Sequence, residues 1–217
     1  MNRLLGFAGG SFLASLAILT SFGSAQAACQ GSVVQFSDDF RHPSTLWDPP
    51  SDQVFRAGKY IMALEPNGMA SDWPIAPLFS GDYSVCAKLK LPFDPTGAAG
   101  SGVIFWIDPL NNKKGGHNFY MAMISPDGFY WVSKQVDGEK SNVIEPVKGD
   151  FVKNGPDAVN EIVVALRGGQ GTLIINDKKA GEFSGQPPLQ AHAGIFAGAP
   201  LEKKYQVEFS DFRVVKP

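Results

Sequence analysis

Four consecutive residues, Ser125-Pro126-Asp127-Gly128, constrain this chain more than any others. They separate two runs rich in aromatic and long apolar side chains, read as strands near 118–125 and 128–136. Proline presets φ for the second position of a type I turn, aspartate suits the third, and glycine takes the left-handed position that follows. This is a three-residue hairpin loop closed by a glycine bulge. The register follows: Ser125 opposes Phe129, Ile124 opposes Tyr130, Met123 opposes Trp131, Ala122 opposes Val132 and Met121 opposes Ser133. Opposed residues share a face, and faces alternate along a strand. One face carries Tyr120, Ala122, Ile124, Tyr130, Val132 and Lys134; the other carries Phe119, Met121, Met123, Trp131, Ser133 and Gln135. The second set ends in two polar residues, which turns that face toward water, while Lys134 at the end of the first set argues for the other face.

The run 102–108 is almost continuously apolar, as expected for a strand covered on both faces. Simple alternation points Val103, Phe105 and Ile107 one way and Ile104 and Trp106 the other. Further short runs are read as strands near 33–40, 53–64, 82–91, 160–166, 171–177, 191–198 and 205–215. Glycine and proline punctuate them, no helical period is sustained, and only 151–157 could hold one helical turn. Gly168-Gly169-Gln170-Gly171 reads as a hairpin loop, and Asn176-Asp177-Lys178-Lys179 as the next turn. Regularly punctuated short strands predict an all-β sandwich or barrel.

The first 27 residues are read apart from the fold. Arg3 supplies a positive start, an apolar and small-residue stretch runs to Phe22, and Ala25-Gln26-Ala27 fits the small-x-small rule for signal cleavage. The expected product is a single domain, residues 28–217, exported to the periplasm or beyond, with no later run long and apolar enough to span a membrane. The competing reading is a lipoprotein acylated on Cys29, against which stands Gln26, where an aliphatic residue would be wanted. The two cysteines, Cys29 and Cys86, allow one bridge in an oxidising compartment, worth roughly 4 kcal/mol for so long a loop; two buried free thiols are the alternative. The formal charge is −2 with scattered lysines, which is no footprint for nucleic acid.

Several segments together resemble the concanavalin A-like lectin/glucanase superfamily, within it the 3-keto-disaccharide hydrolase-like and laminin-G-like bacterial domains. They are Phe36-Ser37-Asp38-Asp39-Phe40 with Trp47, Gly102-Val103-Ile104-Phe105, Asn118-Phe119-Tyr120, Asp127-Gly128-Phe129-Tyr130, and 160–164 with Ile175-Asn176. Gly194-Ile195-Phe196 and Phe209-Ser210-Asp211-Phe212-Arg213-Val214 complete the set. The resemblance implies a jelly-roll sandwich of two antiparallel sheets, with the first and last strands close together.

It brings no catalytic site with it. Retaining glucanases need two carboxylates about 5–5.5 Å apart, and here the glutamates are isolated in sequence. Asp38-Asp39 is the only acidic pair in the sequence, and adjacent strand residues point to opposite faces; one is expected to cap a turn and the other to be solvated. No nucleophile elbow, zinc-protease motif or cysteine-rich metal motif occurs, and His42, His117 and His192 lie far apart in sequence. Asp108, Asn111 and Asn112 offer oxygens for calcium in one loop, which otherwise reads as a polar connection. The candidate ligand face carries Trp106, Met121, Met123, Trp131, Ser133 and Gln135: an apolar floor for a sugar ring, with few polar groups. Three readings remain: a non-catalytic carbohydrate-binding or cell-envelope module, a glycoside-cleaving enzyme of the 3-keto-disaccharide hydrolase type, and a structural or protein-interaction module.

Overall fold

The computed structural model describes residues 29, 32–50, 53–93, 99–113 and 116–217. The segment read as a signal, 1–27, lies outside them. Among the described residues sixteen strands follow one another: β1 (Val33–Asp38), β2 (Gln53–Phe55), β3 (Tyr60–Leu64), β4 (Met69–Asp72), β5 (Tyr83–Lys90), β6 (Gly100–Ile107), β7 (Asn112–Lys113), β8 (Gly116–His117). Then come β9 (Phe119–Ile124), β10 (Phe129–Val136), β11 (Glu139–Lys148), β12 (Val159–Arg167), β13 (Gln170–Ile175), β14 (Lys178–Ser184), β15 (His192–Gly198) and β16 (Tyr205–Lys216). One sheet runs β14-β13-β12-β5-β16-β3-β2, with β1 also on β16; the other runs β11-β10-β9-β6-β15-β4; β7 and β8 form a small ribbon. All pairings between these strands are antiparallel. The chain is an all-β jelly-roll sandwich. No helix forms among the described residues, and 151–157 is a series of turns.

Turn chemistry sets the hairpins. Gly128 has φ 89° and its N–H reaches the Ser125 carbonyl at 3.0 Å. Beyond it β9 and β10 pair in the register that the turn dictates, Ile124 with Tyr130 through Met121 with Ser133. Gly168-Gly169 and Asn176-Asp177 form two-residue turns with both φ values positive, the twist that suits a hairpin. A third such turn, Asp137-Gly138, opens β11, and Ala57-Gly58 splits the stretch read as one strand, 53–64, into β2 and β3.

The first and last strands pair, Phe36 with Val214 and Asp38 with Phe212. Asp38 is buried and its carboxylate accepts from the N–H groups of Phe40 and Ser44, both at 2.7 Å, and from the Trp47 indole at 3.0 Å. Asp39 is exposed and accepts from the Arg41 N–H. The acidic pair therefore divides as expected, one member tying a loop and one meeting water. Trp47 in turn packs on Phe36, Phe40, Tyr60 and Phe212.

Between the sheets lie Tyr60, Met62, Val85 and Phe209 from one side and Val103, Phe105, Ala122 and Ile124 from the other. Cys29 and Cys86 form a disulfide on the outer side of the larger sheet, against Val163 and Ile174.

One expectation fails inside β6. Trp106 belongs to the intersheet cluster, and Ile107 to the opposite face. Trp106 has φ 49°. Phe105 and Trp106 together oppose the single residue Ala193, because His192 pairs with Ile107 and Gly194 with Ile104. That is a β-bulge, which inserts one residue and reverses the alternation beyond it. The indole consequently packs with Phe105, Tyr120 and Phe183.

Candidate functional site

The outer face of the six-stranded sheet carries a second apolar cluster: Ile104, Ile107, Met121, Met123 and Phe196, bordered by the half-buried Trp73, Phe119 and Trp131. A flat sheet of six strands would hold its edges about 24 Å apart. Here Lys140 on edge strand β11 places its Nζ 3.4 Å from the Met69 sulfur on the opposite edge strand, β4. Lys140 pairs with Gln135 and Met69 with Gly198, so both share the face of this cluster. The sheet is thus curled into a cleft over that face, which explains why Met121 and Met123 are only 3% and 5% exposed.

Two tryptophans mark the cleft, each seated on a glycine. The Trp131 ring lies over Gly100, where an added Cβ would stand 2.5 Å from the indole, and beside Met123. Trp131 also lines a cavity of about 290 Å³ with Ser125, Asp127, Phe129 and Pro146. Trp73 lies against Gly194, where a Cβ would meet it at 2.6 Å. His117 stands edge-on to Trp73 at 5.7 Å between centroids, and His192 lies tilted by 32° to it at 6.3 Å. Burial holds the His192 imidazole below its ordinary pKa, opposed by a backbone hydrogen bond at Pro74 and reinforced by the charge of His117. Its Nδ1 is buried and makes no hydrogen bond of full geometry among the described residues. His42 is on an exposed loop beside Asp39 and Arg213, away from this pair.

A polar flank runs along β10 and β11. The Ser133 hydroxyl donates to Asn142 Oδ1 at 2.8 Å, and the Asn142 amide donates to Glu145 at 2.9 Å. Gln135 donates to the His117 carbonyl at 3.2 Å. The cleft therefore offers apolar surface and oriented hydrogen-bonding groups side by side.

Of the six residues expected on this face, Met121, Met123, Trp131, Ser133 and Gln135 share it, and Trp106 does not. Trp73, His192 and Asn142 are brought to it only by the pairing of β4, β15 and β11. The Asp137-Gly138 dipeptide, a strong hairpin signal, would have revealed β11; nothing local marks Trp73.

Asp108, Asn111 and Asn112, the oxygens offered for calcium, lie on the connection that follows β6. Asp108 Oδ1 accepts from the Leu110 N–H at 2.9 Å, and its carbonyl lies 3.0 Å from His117 Nδ1. Asn111 is half-buried, and the side chain of Asn112 lies outside the described residues. Among the described residues no three of His, Cys, Asp and Glu gather at a metal-binding distance.

No family of known proteins matches the chain by sequence, and no curated protein does. Solved structures do match. A carbohydrate-binding module, CBM66, from Bacillus subtilis is similar at 12% identity over 79% of this chain and 96% of that one, with a TM-score of 0.60. Bacillus licheniformis β-glucanase is similar at 6% identity over 84% of this chain and 98% of that one, at 0.61. The exoplasmic/lumenal domain of VIP36, in its Ca2+/Man-bound form, is similar at 13% identity over 83% and 89%, at 0.60. These likenesses establish a shared concanavalin A-like sandwich fold.

Proposed function

We propose that this protein is an exported, non-catalytic carbohydrate-binding module of the cell envelope that holds a saccharide in the cleft of its six-stranded sheet. The observation that carries this reading is the pairing of two half-buried tryptophans, Trp73 and Trp131, with the Ser133–Asn142–Glu145 hydrogen-bonded flank. An indole covers the apolar face of a sugar ring, and the flank answers its hydroxyls. Solved neighbours that are a carbohydrate-binding module, a β-glucanase and a Man-bound domain support the ligand class. Among the described strand residues of this face Glu145 is the one carboxylate, where retaining hydrolysis would use two. That favours binding over glycoside cleavage.

On a glycan array the purified protein is expected to retain saccharides and release no sugar from them. Trp131→Ala should lower the affinity by about thirty-fold, as loss of a central aromatic anchor does, with a modest change in melting temperature. A blank array, or binding indifferent to both Trp131→Ala and Trp73→Ala, would overturn the cleft assignment; release of a 3-keto sugar would overturn the non-catalytic one.

Export is the second part of the proposal. Secreted protein should begin at Ala28 by intact mass. A Cys29 engaged with Cys86 has no thiol left to acylate, so a lipid on Cys29 would refute both the cleavage site and the bridge.

A further inference from the structure

Lys134 lies on the inner side of its sheet. It pairs with Tyr120 and shares the face of Tyr130 and Val132, both members of the intersheet core. The side chain is half-buried, and among the described residues no hydrogen bond or ion pair holds its ammonium. Lysines withdrawn from water are ordinarily paired. This one lines a pocket of about 670 Å³ where β9 begins and β10 ends, closed on its far side by the segment 184–188 that leaves β14. The volume falls within the range of about 300–1,000 Å³ usual for small-molecule sites.

The other walls suit a hydroxylated ring. Pro187, Pro188, Phe119 and Val136 supply apolar surface. The segment that carries the prolines is fastened in place. The Tyr120 hydroxyl accepts from the Gln186 N–H at 3.3 Å, and Gly185 lies so close to Trp106 and Tyr120 that a Cβ there would stand 2.4 and 2.9 Å from their rings. This wall is therefore preformed. Asp108 and Asn118 add polar groups. Asp108 Oδ1 accepts from the Leu110 N–H at 2.9 Å and Asn118 Oδ1 from the Asp137 N–H at 2.8 Å, which leaves Asp108 Oδ2 and the Asn118 amino group for hydroxyls. The Asp108 carboxylate makes no ion pair with Lys134. An ammonium without a carboxylate of its own is matched by one that a ligand brings. The two charges then orient the guest, its carboxylate toward Lys134 and its hydroxyls toward Asp108 and Asn118.

We propose that this pocket is a second ligand site, distinct from the cleft, that takes a single sugar ring bearing a carboxylate, a uronic acid, and holds that carboxylate on Lys134. Lys134 faces inward from the sheet whose outer face forms the cleft, so neither site needs the other. The test titrates the full protein with glucuronate, galacturonate and mannuronate, and with glucose, galactose and mannose, followed by the protein's amide NMR signals. At least one acid should bind about tenfold or more tightly than its neutral parent, the contribution of one charge-assisted hydrogen bond, and should shift the amides of Asn118, Lys134 and Gln186. Added sodium chloride should weaken it, as screening requires. Lys134→Met keeps the stem and removes the charge; it should abolish the preference for the acid, and Lys134→Arg should retain it. Both variants should melt with the parent, because no ion pair is lost, and Trp131→Ala should leave binding of the acid intact. The proposal is overturned if no acid binds, if neutral sugars bind as tightly, if Lys134→Met binds the acid as the parent does, or if Trp131→Ala alone abolishes binding. A melting temperature well lowered by Lys134→Met would show that the protein itself holds the ammonium, and overturns it as well. Each of these results leaves polysaccharide binding in the cleft to be judged by its own variants.

Discussion

Replacing Trp106 with alanine is expected to cost about 3–5 kcal/mol of stability, a drop in melting temperature of roughly 6–20 °C for a domain of this size. The indole is 3% exposed and packs edge-on to Tyr120 at 5.0 Å, with Phe105 at 5.6 Å and Phe183 at 6.2 Å. Gly185 sits against it so closely that a Cβ there would be 2.4 Å from the ring, so little can move in to fill the space an alanine would leave. The backbone adds a second signature. At φ 49° a side chain is strained by about 1–2 kcal/mol, and glycine is free of that strain. In an ordinary strand glycine is worse than alanine by about 0.5–1 kcal/mol; at this position Trp106→Gly should be no less stable than Trp106→Ala. Denaturant unfolding of the two variants measures both points. If Trp106→Ala unfolds with the parent, the indole lies on the outer face, where unbroken alternation would have put it.

Removing the disulfide should have an effect of similar size. Cys29 and Cys86 are 57 positions apart in sequence. Closing a loop of that length lowers the entropy of the unfolded chain by an amount worth about 4 kcal/mol. The bridge also fixes Cys29 to β5, next to Val163 and Ile174. A Cys29→Ala, Cys86→Ala protein is expected to melt well below the parent, and the parent in reductant to converge on it. Equal melting temperatures, or free thiols in the oxidised protein, would show that the bridge is not formed in solution.

Local chemistry was sufficient for much of the fold. Pro126, Asp127 and Gly128 can close a hairpin in one register only, and that register divides Met121, Met123 and Trp131 from Ala122, Ile124 and Val132. Gly168-Gly169 and Asn176-Asp177 tolerate left-handed φ and were legible as turns for that reason. The cleft floor was therefore legible as far as one hairpin carries it. The polar strand β11 was not, because it is mostly exposed and pairs through its backbone, which leaves no apolar period in the sequence. Trp106 and Trp73 were decided elsewhere. The side of the sheet that Trp106 occupies depends on a bulge opposite Ala193, more than eighty residues on, and Trp73 reaches the cleft because β4 pairs with β15 over Gly194. A strand's own sequence determines which residues alternate. Only its neighbours determine where the alternation breaks and which distant side chains come to share a face, because a bulge and a strand pairing are hydrogen-bonding relations between segments.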